Sequence, residues 1–542
     1  MKFKFLITTA IYLCSGLFYF GSMAQKTYTI DDTLRGSITP ERAWWDLKYY
    51  ALKVEVMPKE KFLKGVNTVK YKKIKEGDIL QIDLQIPMEM TGVEQDGKRL
   101  QFVKKGNNAY FIKTETAAKI GDEKELKVYF AGKPQIAKRA PWDGGLSWHT
   151  DANGKTFAAT SCQGLGASVW WPCKDHMYDE PDSMRISVTV PDSLWDISNG
   201  RIEKMCLSSD GKRTVDWVVR NPINNYGVNL NIGDYVHFNE DFQGEKGLLT
   251  CDYYVLKDNF EKAQAQFKDV SRMLKAFEHW FGPYPFYEDG FKLVEVPYLG
   301  MEHQSSVTYG NKFKNGYLGK DLSGSGWGLK WDFIIIHESG HEWFANNITY
   351  KDIADMWIHE SFTNYSETLF TEYHYGKQAG EDYVIGTRKS ILNNRPIIGV
   401  YNLNQSGSGD MYSKGGNMLH TIRHAINDDE KFRQILRGLN KDFYHQTVES
   451  AQIENYISDK SGINFSKVFD QYLRNTNIPE LELKKTKKGY SYRWNNVVEG
   501  FDMPLKVKID GVEKMIYPKD SKVQSIAGKQ LEVDRNFYIK VK

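Results

Sequence analysis

The feature that most constrains this chain is a change of hydrophobic period at Asn259. Before it, from about residue 27 to 240, apolar residues come in short alternating runs such as Leu52-Lys53-Val54-Glu55-Val56, broken by Asp96-Gly97, Asn153-Gly154 and Asp210-Gly211. A period of two punctuated by turn dipeptides predicts strands with one buried face. After it, Phe260, Ala263, Phe267, Val270, Leu274, Phe277 and Trp280 step by three and four until Gly282-Pro283. That spacing predicts a helix with a single apolar stripe. Further helical stretches are expected near 331–346, 361–375 and 413–427. Pro479 closes the last of the helical runs, and residues 480–542 return to short strands with turns at Asp510-Gly511 and Ala527-Gly528. At 542 residues the chain is too long for one compact core. The expected organisation is multidomain α+β: a leader over 1–24, an N-terminal β-rich domain over 25–240, a mixed α/β domain over 241–478 and a small C-terminal β-domain over 479–542.

The leader is read from a positive start, Lys2 and Lys4, an apolar stretch over 5–20, and small residues at Gly21, Ser22 and Ala24 before Gln25. This is the pattern of a secretory signal peptide. Export to a periplasmic or extracellular compartment is the expectation, with no stable membrane insertion after cleavage; an uncleaved membrane anchor is the competing reading. The net charge of +3 falls to +1 without the leader's two lysines, so no concentrated basic surplus is available to read nucleic acid. Cys162, Cys173, Cys206 and Cys251 are too few to staple so large a chain and form no CxxC pair, which leaves folding to apolar burial and a thiolate zinc site without support. Whether Cys162 and Cys173 pair or remain separate thiols is open on spacing alone.

His337-Glu338-Ser339-Gly340-His341 carries the chemistry. On a helix, residues four apart project from one face, so both imidazoles can meet one tetrahedral zinc ion while the intervening glutamate points beside it. Ile334-Ile335-Ile336 immediately upstream places the histidines next to a buried apolar run, where they need a partner. A catalytic zinc takes three protein ligands and leaves one place for water. Eighteen residues intervene between His341 and Glu360, which heads another helical stretch. Glu360 is a plausible third ligand, and adjacent His359 competes for the role, since neighbours on a helix diverge by about 100°. Glu367, two turns beyond Glu360, lies on the same face and is placed to orient a ligating histidine.

Taken together these residues resemble the M1, or gluzincin, zinc aminopeptidases. The family's HExxH followed after eighteen residues by Glu is matched by His337, Glu338, His341 and Glu360, and its GxMEN motif is similar to Leu299-Gly300-Met301-Glu302-His303. Tyr412-Ser413-Lys414-Gly415 matches its tyrosine segment, and Cys162-Gln163, Trp171-Pro172-Cys173 and Asp179-Glu180-Pro181 match its β-domain segment. Two departures stand out: His303 replaces the usual Asn, and Leu299-Gly300 replaces the usual Gly-Ala. About sixty residues follow Pro479, where many members carry a long helical domain, so the resemblance is to a short form with a more open cleft.

The resemblance implies a saddle-like N-terminal β-domain, a thermolysin-like catalytic domain and one zinc ion per chain. It implies removal of N-terminal residues from peptide substrates, with Glu338 as general base and Tyr412 stabilising the oxyanion. Glu302 would face the substrate's ammonium, because an ammonium taken from water needs a countercharge, and Gln163 would add a hydrogen bond. Two alternatives are a thermolysin-like zinc endopeptidase, which needs no amine anchor, and an inactive peptide-binding surface protein. The sequence leaves the preferred N-terminal residue and the oligomeric state open.

Overall fold

The computed structural model describes residues 28–114 and 118–542; the expected leader lies outside them. Among the described residues no helix is long and apolar enough to cross a membrane. The N-terminal region is built on an eight-stranded sheet. At its centre Trp45–Met57 pairs antiparallel with Phe62–Lys73 and parallel with Ser183–Pro191. Along Trp45–Met57 the side chains alternate as expected: Leu52, Val54 and Val56 are buried, and Lys53 is exposed. A four-stranded sheet that includes Thr156–Ser161 and Asn231–Gly233 covers this core. The strand Thr156–Ser161 ends two residues before Gln163, which places that side chain at the sheet's end.

The catalytic region begins with a hairpin, Tyr235–Gly244 and Gly247–Leu256, which straddles residue 240 and forms the edge of a five-stranded sheet. The other edge is the short strand Gly300–Met301, antiparallel to Val307–Tyr309. Helices pack on this sheet, and the expected helix after Asn259 is present as two, Phe260–Gln266 and Lys268–Phe281. The helix expected over 331–346 is shorter: Phe333–Gly340 is α-helical and gives way to a wide turn over Glu342–Asn347. Trp357–Tyr375 starts earlier than expected, so Glu360 is within its first turn.

Two apolar cores result. Val294, Val296, Tyr298 and Met301, from the catalytic sheet, belong to the N-terminal core. The seam between the regions therefore runs along the edge strand that leads into Glu302. At the other end Trp494, Phe501, Met503 and Leu505 share the catalytic core, and Tyr472 Oη donates to Tyr538 O. The C-terminal β-sheets are thus packed onto the helical layer rather than tethered to it. Cys162 and Cys173 are buried as separate thiols.

Candidate active site

The helix Phe333–Gly340 is started by Asp332, whose carboxylate accepts from the amides of Ile334 and Ile335 and from Tyr309 Oη. Burial first, opposed by those hydrogen bonds, pushes Asp332 up to about 6. The helix then runs into the site with every residue buried. Gly340 lets it approach Trp357–Tyr375: a Cβ there would sit 2.7 Å from Ser366 Oγ and 3.2 Å from Thr363 Cγ2. Without that close approach the ligands on the two helices would not converge.

They do converge. Glu360 Oε2 lies 3.5 Å from His341 Nε2 and 3.8 Å from His337 Nε2. One donor atom from each of the three lies within 4.8 Å of the others. Donors bound to one zinc at about 2.0–2.1 Å in tetrahedral array are about 3.3 Å apart, and the two separations from Glu360 are close to that spacing. Glu360 Oε2 is buried with no hydrogen-bond partner, an orphan that a cation would satisfy. Both imidazoles have their far nitrogen engaged. His337 Nδ1 donates to Glu367 Oε1 at 2.7 Å, and His341 Nδ1 donates to Phe344 O at 3.0 Å. This leaves the two Nε2 lone pairs facing the same point, the arrangement expected of ligating histidines. His359 is turned away, its Nε2 accepting from Tyr350 N–H at 2.9 Å.

The electrostatics favour a cation at that point. Burial would lower His341, yet the charges of Glu360 and Glu302 push it up to about 10. Burial would likewise lower His337, and the hydrogen bond and charge of Glu367 leave it raised. A field that holds protons on imidazoles also attracts a dication.

Beside this centre a second group converges: donor atoms of Glu302, Glu338 and His341 also lie within 4.8 Å of one another. Gly300 allows it, because a Cβ there would meet Ile334 Cγ2 at 2.5 Å. Glu302 is buried, and its backbone carbonyl accepts from Asn346 Nδ2. Gln163 Nε2 donates to Glu302 Oε1 at 2.5 Å and to Glu360 Oε1 at 3.0 Å. Burial, with the charge of Glu302 adding and those of the histidines opposing, pushes Glu338 up to about 7. Tyr412 closes the site from the start of Ser413–Ile426, its ring stacked near His337 with centroids 6.1 Å apart. It is 36 % exposed, towards the cleft. Desolvation of its hydroxyl, then the charges of Glu360, Glu302 and Glu338, holds it well above its ordinary value, so it remains a donor.

All eight residues singled out from the sequence therefore meet around one cleft: seven line it, and Glu367 braces His337 from behind. Four further contributors were not singled out from the sequence. Tyr226 Oη donates to Glu302 Oε1, Tyr383 Oη and Asn364 Nδ2 donate to Glu367, and Thr363 Oγ1 is 3.0 Å from His341 Nδ1. The helical period from Glu360 could have pointed to Asn364, four residues on. Tyr226 and Tyr383 could not have been found that way.

Two histidines and a glutamate from paired helices, set against a mixed sheet and a β-rich partner domain, make a site that could hold one metal ion in the HExxH-plus-glutamate arrangement. Residues 265–472 match the Peptidase family M1 domain. It is 23% identical over 438 residues to the probable aminopeptidase 1 of Sulfurisphaera tokodaii, covering 77% of this chain and 51% of that protein. It is 23% identical over 347 residues to the tricorn protease-interacting factor F2 of Thermoplasma volcanium, covering 61% and 42%. The chain thus spans about half the length of the relatives it matches. Among solved structures, the M1 zinc metallopeptidase of Deinococcus radiodurans superposes with a TM-score of 0.66 at 21% identity, covering 80% of this chain and 95% of that one. That likeness establishes the shared fold, the β-rich region followed by the helical catalytic region.

Proposed function

We propose that this protein is a zinc-dependent aminopeptidase that removes N-terminal residues from peptides. The observation that carries the reading is the buried carboxylate of Glu302 beside the metal triad, sharing His341 and Glu338 as near neighbours. An endopeptidase needs the metal helices but has no use for a second, buried carboxylate next to the reacting centre. An aminopeptidase does, because a substrate's ammonium set against Glu302 fixes the scissile bond one residue away.

In this reading His337, His341 and Glu360 hold zinc, which when bound lowers the pKa of water and polarises the scissile carbonyl. Glu338, facing the cleft, takes the proton of the attacking water and returns it to the departing amine. Tyr412 donates a hydrogen bond to the negative charge that develops on the carbonyl oxygen. Glu302 and Gln163 hold the substrate's amine, and Glu367 fixes the tautomer and angle of His337. One of the M1 zinc metallopeptidase structures from D. radiodurans was obtained with a Tyr-Ser-Ala substrate, which supports peptides as the substrate class. The leader pattern over 1–24 supports an exported enzyme; N-terminal sequencing of mature protein starting at Gln25 would test it.

The function is tested by turnover of an aminoacyl reporter with a free amine and the same reporter acetylated, alongside zinc content. One zinc per chain and strong preference for the free amine are expected. Equal cleavage of both would overturn the exopeptidase reading, and no turnover by zinc-loaded protein would overturn the enzyme reading.

A further inference from the structure

We propose that Arg395 recognises a carboxylate on the leaving-group side of the substrate, so that the preferred substrates are short peptides bearing a negative charge shortly after the scissile bond. This rests on the aminopeptidase reading above. Among the residues lining the cleft, Glu302, Glu338 and Glu360 are acidic and Arg395 is the only lysine or arginine. Its guanidinium has no hydrogen bond, ion pair or ring contact among the described residues. Arg388, seven residues earlier, shows what a structural arginine looks like here. Its Nε donates to Asn417, and its terminal nitrogens donate to the carbonyls of Arg535 and Asn536. Arg395 has been left with its donors free and its side chain at the cleft.

The main chain on both sides of it is pinned. Leu392 N and Asn393 N donate to the carboxylate of Asp410 at 2.8 and 2.6 Å. Pro396 O accepts from Ser408 N, and Ile397 N donates to Leu473 O. Asp410 is two residues from Tyr412, so the segment that positions Tyr412 also positions Arg395. Binding an anion there costs only the ordering of one side chain, not of a loop.

The position relative to the amine anchor decides what binds. Glu302 and Gln163 sit on the wall made by the edge strand and the β-domain, and Arg395 belongs to the wall carrying Tyr412. A peptide whose ammonium faces Glu302 runs past Glu338 and leaves along the Tyr412 wall. A carboxylate on that part of the chain would be repelled by the three glutamates unless a fixed cation met it, and a guanidinium fork matches a carboxylate in two hydrogen bonds. The remaining wall is largely apolar, with Leu299, Tyr317, Leu322 and Phe333. The cleft's volume of about 520 Å³ is that of a small-ligand site, room for a short peptide. The carboxylate can be the C-terminus of a di- or tripeptide or an acidic side chain.

The test uses the full-length, zinc-loaded protein and the release of leucine from Leu-Gly-Gly, Leu-Gly-Gly-amide, Leu-Gly-Glu-amide and Leu-Gly-Gln-amide. The wild type is expected to prefer a charged partner over its neutral counterpart by about tenfold in kcat/KM, chiefly through KM, the size of one exposed charge-assisted pair. Preference for Leu-Gly-Gly over its amide identifies the C-terminus as the source, and preference for the Glu over the Gln peptide identifies a side chain. Arg395→Gln should bring the ratio close to one, and Arg395→Glu should invert it. Wild-type ratios near one for both pairs, or ratios unchanged in both variants, would overturn the proposal while leaving the aminopeptidase reading intact. Loss of selectivity for free over acetylated amines in the wild type would overturn that reading and this inference with it.

Discussion

The metal half and the amine half of the cleft are built by different means. In the metal half, His337 and Glu338 lie on one helix with His341 at its C-terminal cap, and Glu360, Thr363, Asn364 and Glu367 lie on a second. Helical spacing sets most of the relations within each set. The amine half is assembled from parts far apart in the chain. Gln163 and Glu302 are separated by 139 positions, and Tyr226 and Glu302 by 76. The difference teaches that, in the proposed function, the metal chemistry would be intrinsic to the helical layer, whereas the choice of a free amine would depend on how the β-rich domain docks against the edge strand at Glu302.

That division can be broken by mutation. The largest effect is expected in the metal half: Glu338→Gln should lower kcat by about 10³-fold while retaining one zinc per chain, since the carboxylate moves the proton but is not needed as a ligand. Metal analysis beside single-turnover kinetics checks this. Glu302→Gln should lower kcat/KM on free-amine reporters by about 10²-fold, because an ammonium would lose its buried countercharge. Zinc content should be unchanged and discrimination against acetylated reporters largely lost. If zinc were lost as well, the two halves would not be separable.

A smaller effect is expected behind the ligands. Glu367→Gln should weaken zinc binding by about 10–100-fold, measured by competition with a chromogenic chelator, with kcat of the fully loaded enzyme changed less. The smallest concerns the helix cap. Asp332 has a folded value of about 6, above its ordinary 3.8, so between those values the folded state holds a proton that the unfolded chain has released. Its contribution to stability is therefore present at low pH and lost as pH rises through about 6. Asp332→Asn, which keeps a capping acceptor, should gain on the wild type by on the order of 1 kcal/mol between pH 4 and 6 in denaturant titrations. A difference independent of pH would show that the charge on the cap carries no cost.

The legibility of the molecule follows the same line. Alternation in Leu52 to Val56 and the three-four spacing from Phe260 to Trp280 indicated the right element types, because these periods follow from backbone geometry. The boundaries were less legible. Phe267 divides the expected helix into two, and the metal helix ends at Gly340 because the next turn redirects the Phe344 carbonyl onto His341. Glu302, Gln163 and Tyr412 were legible only through their likeness to family motifs. Their separations along the chain carry no periodic signal that could bring them together.

By itself, the sequence determined that two helices could present two imidazoles and two carboxylates on facing surfaces, since a 3.6-residue period leaves little choice once the helices form. That Gly340 is where those helices meet came from the structure, which puts Ser366 Oγ 2.7 Å from the place a Cβ would take. Residue spacing left Glu360 and His359 as alternatives and the family resemblance pointed to Glu360; the tertiary structure stacks the His359 ring against Tyr350 and leaves a Glu360 oxygen unpartnered. Only the tertiary structure recruited Tyr226 and Tyr383 and left Arg395 at the cleft without a partner among the described residues. These are matters of which surfaces touch, set by packing across the seam between two cores, and local propensity has no term for them.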